Sequence, residues 1–331
     1  MSNTIATKTK VQPQLQLQTT GLVLGLDVGA TKTTAAIGDS KRIYSQGENG
    51  PGNIHDNTPN DIITHLRSAT DQAVKQLHLA QLPQFRAIVV GMAGIDSPHD
   101  QSLAEKLVIQ ALKTWLAPHC QLQVMNDIHI VRSSGSDDPY GMALIAGTGS
   151  HCFGINHKGE LAHAGGLEYI LSDEGSAYEM GLKALRAAIR SGDGRIKPTG
   201  LEKAVLKHFK VGTIRSLEPV VYHGTGLRKT DIAQLAKLVD AQAKKGDWRA
   251  LEIIDETMAE LVLLVSAVVQ RLKLQAVPFD LVVVGGVFNI SALPFLDTFK
   301  KKIKPICPRA EVIQPKYPPV YGAVRLAAAM V

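Results

Sequence analysis

The chain has 331 residues, enough for about two domains that each bury a core of their own. Apolar residues make up 45% and charged residues 20% of the sequence, as in ordinary globular proteins, and no apolar stretch reaches the length of a membrane span. The net charge of +6 is spread over small lysine clusters, which excludes a typical nucleic-acid reader and predicts no nucleic-acid or membrane partner.

The cysteines and the first residues bear on the compartment. Cys120, Cys152 and Cys307 lie far apart and form no Cys-x-x-Cys pair, which favours a reduced, cytoplasmic compartment. Residues 1–20 are rich in Gln and Thr and lack the apolar core of a signal peptide, so we predict a flexible tail. Import into an organelle is a weaker alternative, because the tail has no Arg and a single Ser.

The first ordered stretch, residues 22–38, predicts a strand, a tight turn and a second strand. At the turn, Gly29 allows close approach of the backbone to a ligand, and Asp27 at the strand end is suited to hold magnesium. The polar groups expected to face phosphate oxygens are Thr31, Lys32 and Thr33. The spacings of a P-loop and of the dinucleotide fingerprint are both absent. The alternative is an ordinary hairpin whose Asp and Gly serve the turn.

Asn53 follows in a Gly- and Pro-rich loop, where it could bind a polar ligand or simply stabilise the turn. The pattern then predicts a helix over 60–79, a buried strand over 87–94, a helix over 101–116 and a strand over 122–125. This alternation is typical of an α/β fold.

Asp127 comes directly after the strand at 122–125, and carboxylates at that end of a strand face the ligand crevice of open α/β sheets. Asp127 is therefore our candidate general base. The alternative role for its side chain is to cap the short helix that begins at Ile128.

Residues 143–155 repeat the pattern of strand, Gly/Thr/Ser turn and strand about 120 residues after the first hairpin. Two such hairpins predict a duplicated core, with two phosphate-binding turns facing each other across a cleft.

A double glycine and an acidic loop precede a long helix that is expected to run to about Arg190. Ser172 is expected to cap this helix, and Asp173 is placed to accept hydrogen bonds from sugar hydroxyls. Residues 196–230 form a mostly surface segment in which the sequence shows no chemistry.

The last third of the chain predicts two helices, at 230–245 and 247–273, separated by Gly246. The strand at 279–284 ends in Gly285 and Gly286, where the absence of Cβ atoms leaves room for adenine and its ribose. A final helix is expected from Tyr321 towards Met330.

Taken together, these motifs resemble the sugar-kinase, Hsp70 and actin superfold, and within it the N-acetylglucosamine kinase group of the BadF/BadG/BcrA/BcrD ATPase family. The resemblance runs from about Gly21 to the C-terminus and depends on the order and spacing of seven short segments. These are residues 27–33, 93–96, 126–127, 146–150, 165–166, 172–176 and 284–286.

The resemblance implies two ribonuclease-H-like α/β domains of the actin type, with ATP and a sugar in the cleft between them, and a homodimer. The expected boundaries are 21–128 for the first domain and 129–318 for the second, with the helix at 319–331 packing back on the first.

The resemblance also implies roles for single residues. Asp127 would be the base that acts on the sugar 6-hydroxyl, and Asp27 would hold Mg²⁺. The residues implied at the sugar are Asn53, Asp127, Ser150, His151, Gly166 and Asp173. Those expected at the nucleotide are Gly29, Thr31, Lys32, Thr148, Ala233, Gly285 and Gly286.

Three departures from the family pattern lie on the sugar side: Leu167-Glu168 replaces Trp-Gly, His151 replaces Asn, and Ser172 replaces Gly. We therefore expect an ATP-dependent amino-sugar kinase that acts on N-acetylglucosamine. Glu168 could instead favour the ammonium of glucosamine, His151 could favour the carboxylate of N-acetylmuramic acid, or either could face solvent. Readings from other classes are an ATPase subunit that activates a dehydratase and a non-catalytic sugar sensor.

Overall fold

The computed structural model describes residues 21–223, 226–315 and 317–331, so the predicted tail at 1–20 lies outside the described residues. Two five-stranded sheets account for the strands. The first contains β1 Val23–Val28, β2 Thr33–Gly38, β3 Ile43–Asn49, β4 Phe85–Met92 and β5 Leu116–Asn126. The second contains β6 Gly141–Ala146, β7 Ser150–Ile155, β8 Leu161–Gly165, β9 Phe279–Val284 and β10 Ala310–Ile313.

The two sheets share one topology. The strand order is β3-β2-β1-β4-β5 in the first and β8-β7-β6-β9-β10 in the second. In each sheet the first three strands form an antiparallel meander, and the remaining two lie parallel to its first strand. The predicted α/β fold with a duplicated core is thereby confirmed.

Twelve α-helices cover the sheets in the described residues. Those of the first half are α1 Pro59–Gln76, α2 Pro98–Leu112 and α3 Asp127–Gly135. The later ones are α4 Glu168–Leu171, α5 Ala177–Gly192, α6 Gly200–Phe209, α7 Leu217–Tyr222, α8 Lys229–Ala233, α9 Ala236–Ala243, α10 Trp248–Leu272, α11 Phe295–Ile303 and α12 Pro319–Ala328. None of the helices in the described ranges is long and apolar enough to cross a membrane.

The helices form where capping residues and apolar periodicity agree. For α1, Thr58 accepts a hydrogen bond from the Asp61 amide, Pro59 occupies the first turn, and the apolar face is buried. That face meets a core that also includes fully buried side chains of β1 and β4 such as Leu24 and Ile88. Each such side chain stabilises the fold by roughly 1.5–3 kcal/mol through burial.

The C-terminal helix α12 packs on the first sheet and on α3, and two glycines allow the close approach. A Cβ at Gly25 of β1 would lie 2.5 Å from the Val324 nitrogen, and one at Gly322 would lie 2.0 Å from the Ile130 carbonyl oxygen. Helix α3 packs against β4 on one side and β6 and β9 on the other. The predicted domain boundary at 128/129 therefore falls inside a helix that contacts both sheets.

Two helix predictions were wrong. Ser176, not Ser172, caps the long helix, which begins at Ala177, because Gly175 with φ +80° interrupts the chain before it. The helix predicted over 230–245 is broken into α8 and α9. Around the break the backbone hydrogen bonds tighten to i→i−3, as in Leu235 to Ile232 and Lys237 to Gln234.

Candidate active site

A cavity of about 210 Å³ lies between the two hairpin turns, at the carboxyl ends of the central strands of both sheets. It will be called the central cavity. Eight residues predicted to bind ligands line it: Thr31, Asn53, Asp127, Thr148, Ser150, His151, Gly166 and Asp173. The fold thus brings together side chains that are up to 142 residues apart, from Thr31 to Asp173.

Asp127 lines the central cavity at the start of α3. The capping alternative for its side chain was wrong, because Asn126 caps the helix by accepting a hydrogen bond from the Ile128 amide at 3.1 Å. Burial, together with repulsion from Asp27 and Asp96, raises the pKa of Asp127 to about 7. A carboxyl group with this pKa can accept a proton near neutral pH.

Asp127 has two further carboxyls near it: Asp96 also lines the central cavity, whereas the predicted magnesium ligand Asp27 is buried and is not among the lining residues. We call these three carboxyls the acidic wall. Burial raises the pKa of Asp27 to about 6, although Lys32 opposes the shift. Burial also raises the pKa of Asp96 to about 6, against the attraction of His55. Asn126 donates a hydrogen bond to Asp96 at 3.2 Å and so helps to position this carboxyl near Asp127.

The first hairpin turn differs in part from its prediction. Thr33 is fully buried, with its hydroxyl inside the protein, so it does not face a ligand. The Lys32 ammonium forms an ion pair with Glu48 at 2.5 Å on the exposed surface. Gly29 closes the turn by donating to the Lys32 carbonyl oxygen. Thr31 is the member of this turn that lines the central cavity.

The second hairpin turn is tied into its surroundings by hydrogen bonds. The Ser150 amide donates to Asp173 Oδ1 at 2.9 Å, and the Ser150 hydroxyl donates to the Glu174 carbonyl oxygen at 2.6 Å. The start of α5 donates back to the turn, from Ala177 to Gly147 and from Tyr178 to the Thr148 carbonyl oxygen. Asp173 is buried and adopts φ +75°, a conformation that is uncommon outside glycine.

Lys229 joins two carboxylates on the opposite side of the central cavity. Its ammonium lies 2.5 Å from Glu168 Oε2 and 2.8 Å from Asp173 Oδ2. Burial opposes ionisation of Glu168, but Lys229 and Asn53 outweigh it and hold the Glu168 pKa below its ordinary value. Glu168, Asp173 and Lys229 will be called the paired wall.

A second cavity of about 490 Å³ adjoins the central one, and Thr148 lines both. Its other lining residues include the predicted nucleotide contacts Ala233 and Gly286, together with Ala177 and Met180. Gly285 does not line it; a Cβ there would lie 2.2 Å from the Ala146 carbonyl oxygen, so this glycine is needed for strand packing. We call this space the nucleotide cavity because it holds two predicted nucleotide contacts.

A third cavity of about 460 Å³ shares Asp96, Asn126, His151 and Gly166 with the central cavity and is called the side cavity. It is also lined by His129 and His163, which accompany His151 in a cluster; His151 Nε2 lies 3.0 Å from His163 Nδ1. Burial, reinforced by His163, lowers the pKa of His151 to about 3 and that of His129 to about 4. These imidazoles are therefore neutral at pH 7.

Sequence reasoning missed Lys229 and two histidines of the side cavity, His129 and His163. Lys229 lies in the segment 196–230 in which no chemistry was predicted, and a single lysine in a polar segment carries no sequence signal. His129 and His163 occur on separate elements, α3 and β8. Asp96 belongs to the segment 93–96 of the family resemblance, but no role was predicted for it. Its position near Asp127 could have been inferred from the parallel pairing of β4 with β5.

Relatives of known name share most of the chain. It is similar to an N-acetylmuramic acid/N-acetylglucosamine kinase of Clostridium acetobutylicum, with 33% identity over 92% of this chain and 97% of that protein. It is also similar to an N-acetyl-D-glucosamine kinase of Dictyostelium discoideum, with 27% identity over 92% of this chain and 97% of the relative.

Among solved structures, the fold is similar to that of a Chromobacterium violaceum protein provisionally named an N-acetylglucosamine kinase. That similarity has a TM-score of 0.75 at 20% identity and covers 93% of this chain and 99% of the other. A profile of the BadF/BadG/BcrA/BcrD ATPase family matches residues 24–327. Together with the duplicated fold, this match shows that the chain belongs to the BadF/BadG/BcrA/BcrD ATPase family.

Proposed function

We propose that this protein is an ATP-dependent kinase that transfers the γ-phosphate of ATP to the 6-hydroxyl of an amino sugar, with N-acetylglucosamine as its preferred substrate. The observation that carries the proposal is Asp127, a carboxyl with a pKa of about 7 that lines a cavity between two hairpin turns. The kinases named among its relatives act on amino sugars, which supports the substrate class.

In the proposed reaction, Asp127 aligns the sugar hydroxyl and accepts its proton as the oxygen bonds to the γ-phosphorus. The bond between that phosphorus and ADP breaks in the same displacement, so ADP leaves with the electron pair. Alignment and charge neutralisation supply most of the rate enhancement in such transfers. Thr31 and Thr148, which line the cavity from opposite turns, are the proposed contacts to the phosphates.

The residues present are compatible with a magnesium ion at Asp27. Burial makes a negative charge at Asp27 unfavourable unless a cation compensates it, and Lys32 compensates it only in part. When bound, Mg²⁺ would neutralise charge on the triphosphate. The chain's own part is to hold the Asp27 carboxylate at the end of β1, beside Asp127.

The surroundings of the sugar favour an uncharged substituent. The side cavity is lined by neutral histidines and by Asp96, so the carboxylate of N-acetylmuramic acid meets no cation there. Glu168 is paired with Lys229, so it offers no free negative charge to the ammonium of glucosamine. An acetamide group suits the side cavity better than either charged group, which favours N-acetylglucosamine over the two alternatives.

The experiment is to measure ADP release with Mg²⁺ and ATP across N-acetylglucosamine, glucosamine, N-acetylmuramic acid and glucose. We expect the highest kcat/KM with N-acetylglucosamine. A preference for one of the charged sugars would contradict the substrate assignment. ATP hydrolysis that no sugar stimulates would contradict the kinase and favour the dehydratase-activator alternative.

The oligomer and the compartment are also proposals. A homodimer follows from the family resemblance and is tested by light scattering on the purified protein. A reducing, cytoplasmic compartment is supported by Cys120, Cys152 and Cys307, which are free thiols, two of them buried.

A further inference from the structure

Asn53 and Glu168 form a hydrogen bond across the mouth of the central cavity. Asn53 Nδ2, in the loop after β3, donates to Glu168 Oε1 of α4 at 3.2 Å. Within the described residues it is the one side-chain hydrogen bond that connects residues 21–126 with 139–315. Apart from the helix α3, which packs on both sheets, the two halves of the cleft are therefore connected by a side-chain hydrogen bond at Glu168.

Glu168 is itself held from the second half of the molecule. Its other oxygen, Oε2, accepts a hydrogen bond from the Lys229 ammonium at 2.5 Å. The backbone at Glu168 is in the left-handed region, with φ +62°. A non-glycine residue in this conformation needs support from its surroundings. Lys229 supplies that support and stacks its ammonium 5.8 Å from the centre of the neighbouring Tyr169 ring.

The same ammonium also orders Asp173. Asp173 Oδ1 accepts a hydrogen bond from the Ser150 amide, whereas the buried Oδ2 has the Lys229 ammonium at 2.8 Å as an ion-pair partner but accepts no hydrogen bond within the described residues. The Lys229 side chain is only 15% exposed, and its two carboxylate partners are 30% and 4% exposed. Charges with so little water around them depend on each other for compensation.

We propose that Glu168 and Lys229 form a positioning pair that fastens the two halves of the protein over the sugar and holds Asp173 in place for a sugar hydroxyl. This inference rests on the proposed sugar-kinase function. Neither residue takes part in the transfer itself: Lys229 acts through Glu168 and Asp173, and Glu168 acts through Asn53. The pair sets sugar affinity and leaves nucleotide binding to the adjoining cavity.

The test compares Glu168→Gln, Lys229→Met and the double variant with the wild type, by KM for N-acetylglucosamine, KM for ATP and kcat. Lys229→Met leaves Glu168 and Asp173 without their shared cation, so we expect the sugar KM to rise about 10-fold or more. Glu168→Gln removes the ion pair that holds Glu168 in place but leaves Lys229 paired with Asp173, so we expect a smaller rise in the sugar KM. We expect the ATP KM to stay within about 3-fold of the wild type. The sugar KM of the double variant should rise by less than the product of the two single effects, because the residues act as one unit.

Lys183→Met is the matched control, because Lys183 pairs with Glu256 at 2.7 Å and is 21% exposed but lies outside the three cavities. Its kinetic constants should match the wild type. Lys229→Arg keeps the charge and should recover a sugar KM within about 3-fold of the wild type. Should Lys229→Met not fold, Glu168→Gln carries the test alone.

Three results would overturn the pair: an unchanged sugar KM in Glu168→Gln and Lys229→Met, an equal rise in both KM values, or independent effects in the double variant. Its failure is separable from that of the kinase proposal. A wild-type enzyme without sugar-stimulated ADP release overturns the proposed function, whereas normal wild-type activity with unaffected variants overturns the positioning pair alone.

Discussion

The acidic wall and the paired wall hold their carboxyl groups in opposite ways. On the acidic wall, burial raises the pKa values of Asp27, Asp96 and Asp127 to about 6, 6 and 7. On the paired wall, two carboxylates share one ammonium and keep fixed hydrogen bonds. A proton acceptor needs a raised pKa, whereas a binding group needs a fixed position, so the contrast separates chemistry from recognition.

The acidic wall is also a place where function opposes stability. A folded-state pKa above the unfolded value of about 3.8 means that the fold loses stability as pH rises through the interval from about 4 to 7. A cation bound beside these carboxylates would restore part of the lost stability. On the paired wall, the Lys229 ammonium already compensates the charges of Glu168 and Asp173.

Asp127→Asn should give the largest effect and breaks the acidic wall directly. Without the proton acceptor we expect kcat to fall by about 100-fold or more, while ATP still binds. The unfolding free energy at pH 8 should rise by on the order of 2 to 4 kcal/mol, because a buried charge is removed. Sugar-stimulated ADP release and thermal unfolding at pH 8 and pH 4 are the measurements. Near-normal turnover would remove Asp127 from the proposed role.

Gly149→Ala disturbs the paired wall without changing any charge. A Cβ at residue 149 would lie 2.7 Å from Asp173 Oδ1, so the carboxylate must leave its place between Ser150 and Lys229. We expect the sugar KM to rise about 10-fold with a smaller change in kcat.

Gly212→Ala is the control for this substitution, since a Cβ there meets no atom within 4 Å. The measurement is the sugar KM of Gly149→Ala and Gly212→Ala by steady-state kinetics. Equal sugar KM values in the two variants would show that the position of Asp173 does not limit sugar binding.

Asp96→Asn should give the smallest effect and sharpens the account of the acidic wall. Repulsion from Asp96 is one cause of the raised pKa of Asp127, so its removal lowers that pKa. The base then stays ionised to lower pH, and the acidic limb of the kcat/KM profile should move down by up to about one pH unit. The measurement compares the pH dependence of kcat/KM from pH 5 to 9 between Asp96→Asn and the wild type.

Glu311→Gln serves as the control for the pH profile, because Glu311 is an exposed carboxylate on β10. Its profile should coincide with that of the wild type. An acidic limb in Asp96→Asn that does not move would show that burial alone sets the pKa of Asp127.

Much of the fold was predictable because its signals are local. Apolar runs on either side of a turn that contains Gly and Thr predict the two hairpins at 22–38 and 143–155. Their repetition indicated a duplicated core, which the identical strand order of both sheets confirms. The position of Asp127 at the end of a strand already placed it towards a ligand crevice.

Local detail failed where two local signals competed. Ser172 and Ser176 both precede the long helix. Because Gly175, with φ +80°, interrupts the helical backbone, Ser176 is the residue that caps the helix. Thr31 and Thr33 both flank the turn. Thr33, the first residue of β2, is buried, whereas Thr31 lines the central cavity. The four-residue difference in the start of the long helix lies within the usual uncertainty of boundaries that are predicted from sequence.

The sequence by itself determined the class of fold and the two turns, and it placed Asp127 at the end of a strand, because strand periodicity and turn residues act between near neighbours. Only the tertiary structure decided the paired wall. Asn53 meets Glu168 across 115 residues of sequence, and Lys229 meets it across 61. An ion pair between such distant residues leaves no periodic pattern, since its partners are brought together by the packing of separate elements rather than by spacing along the chain.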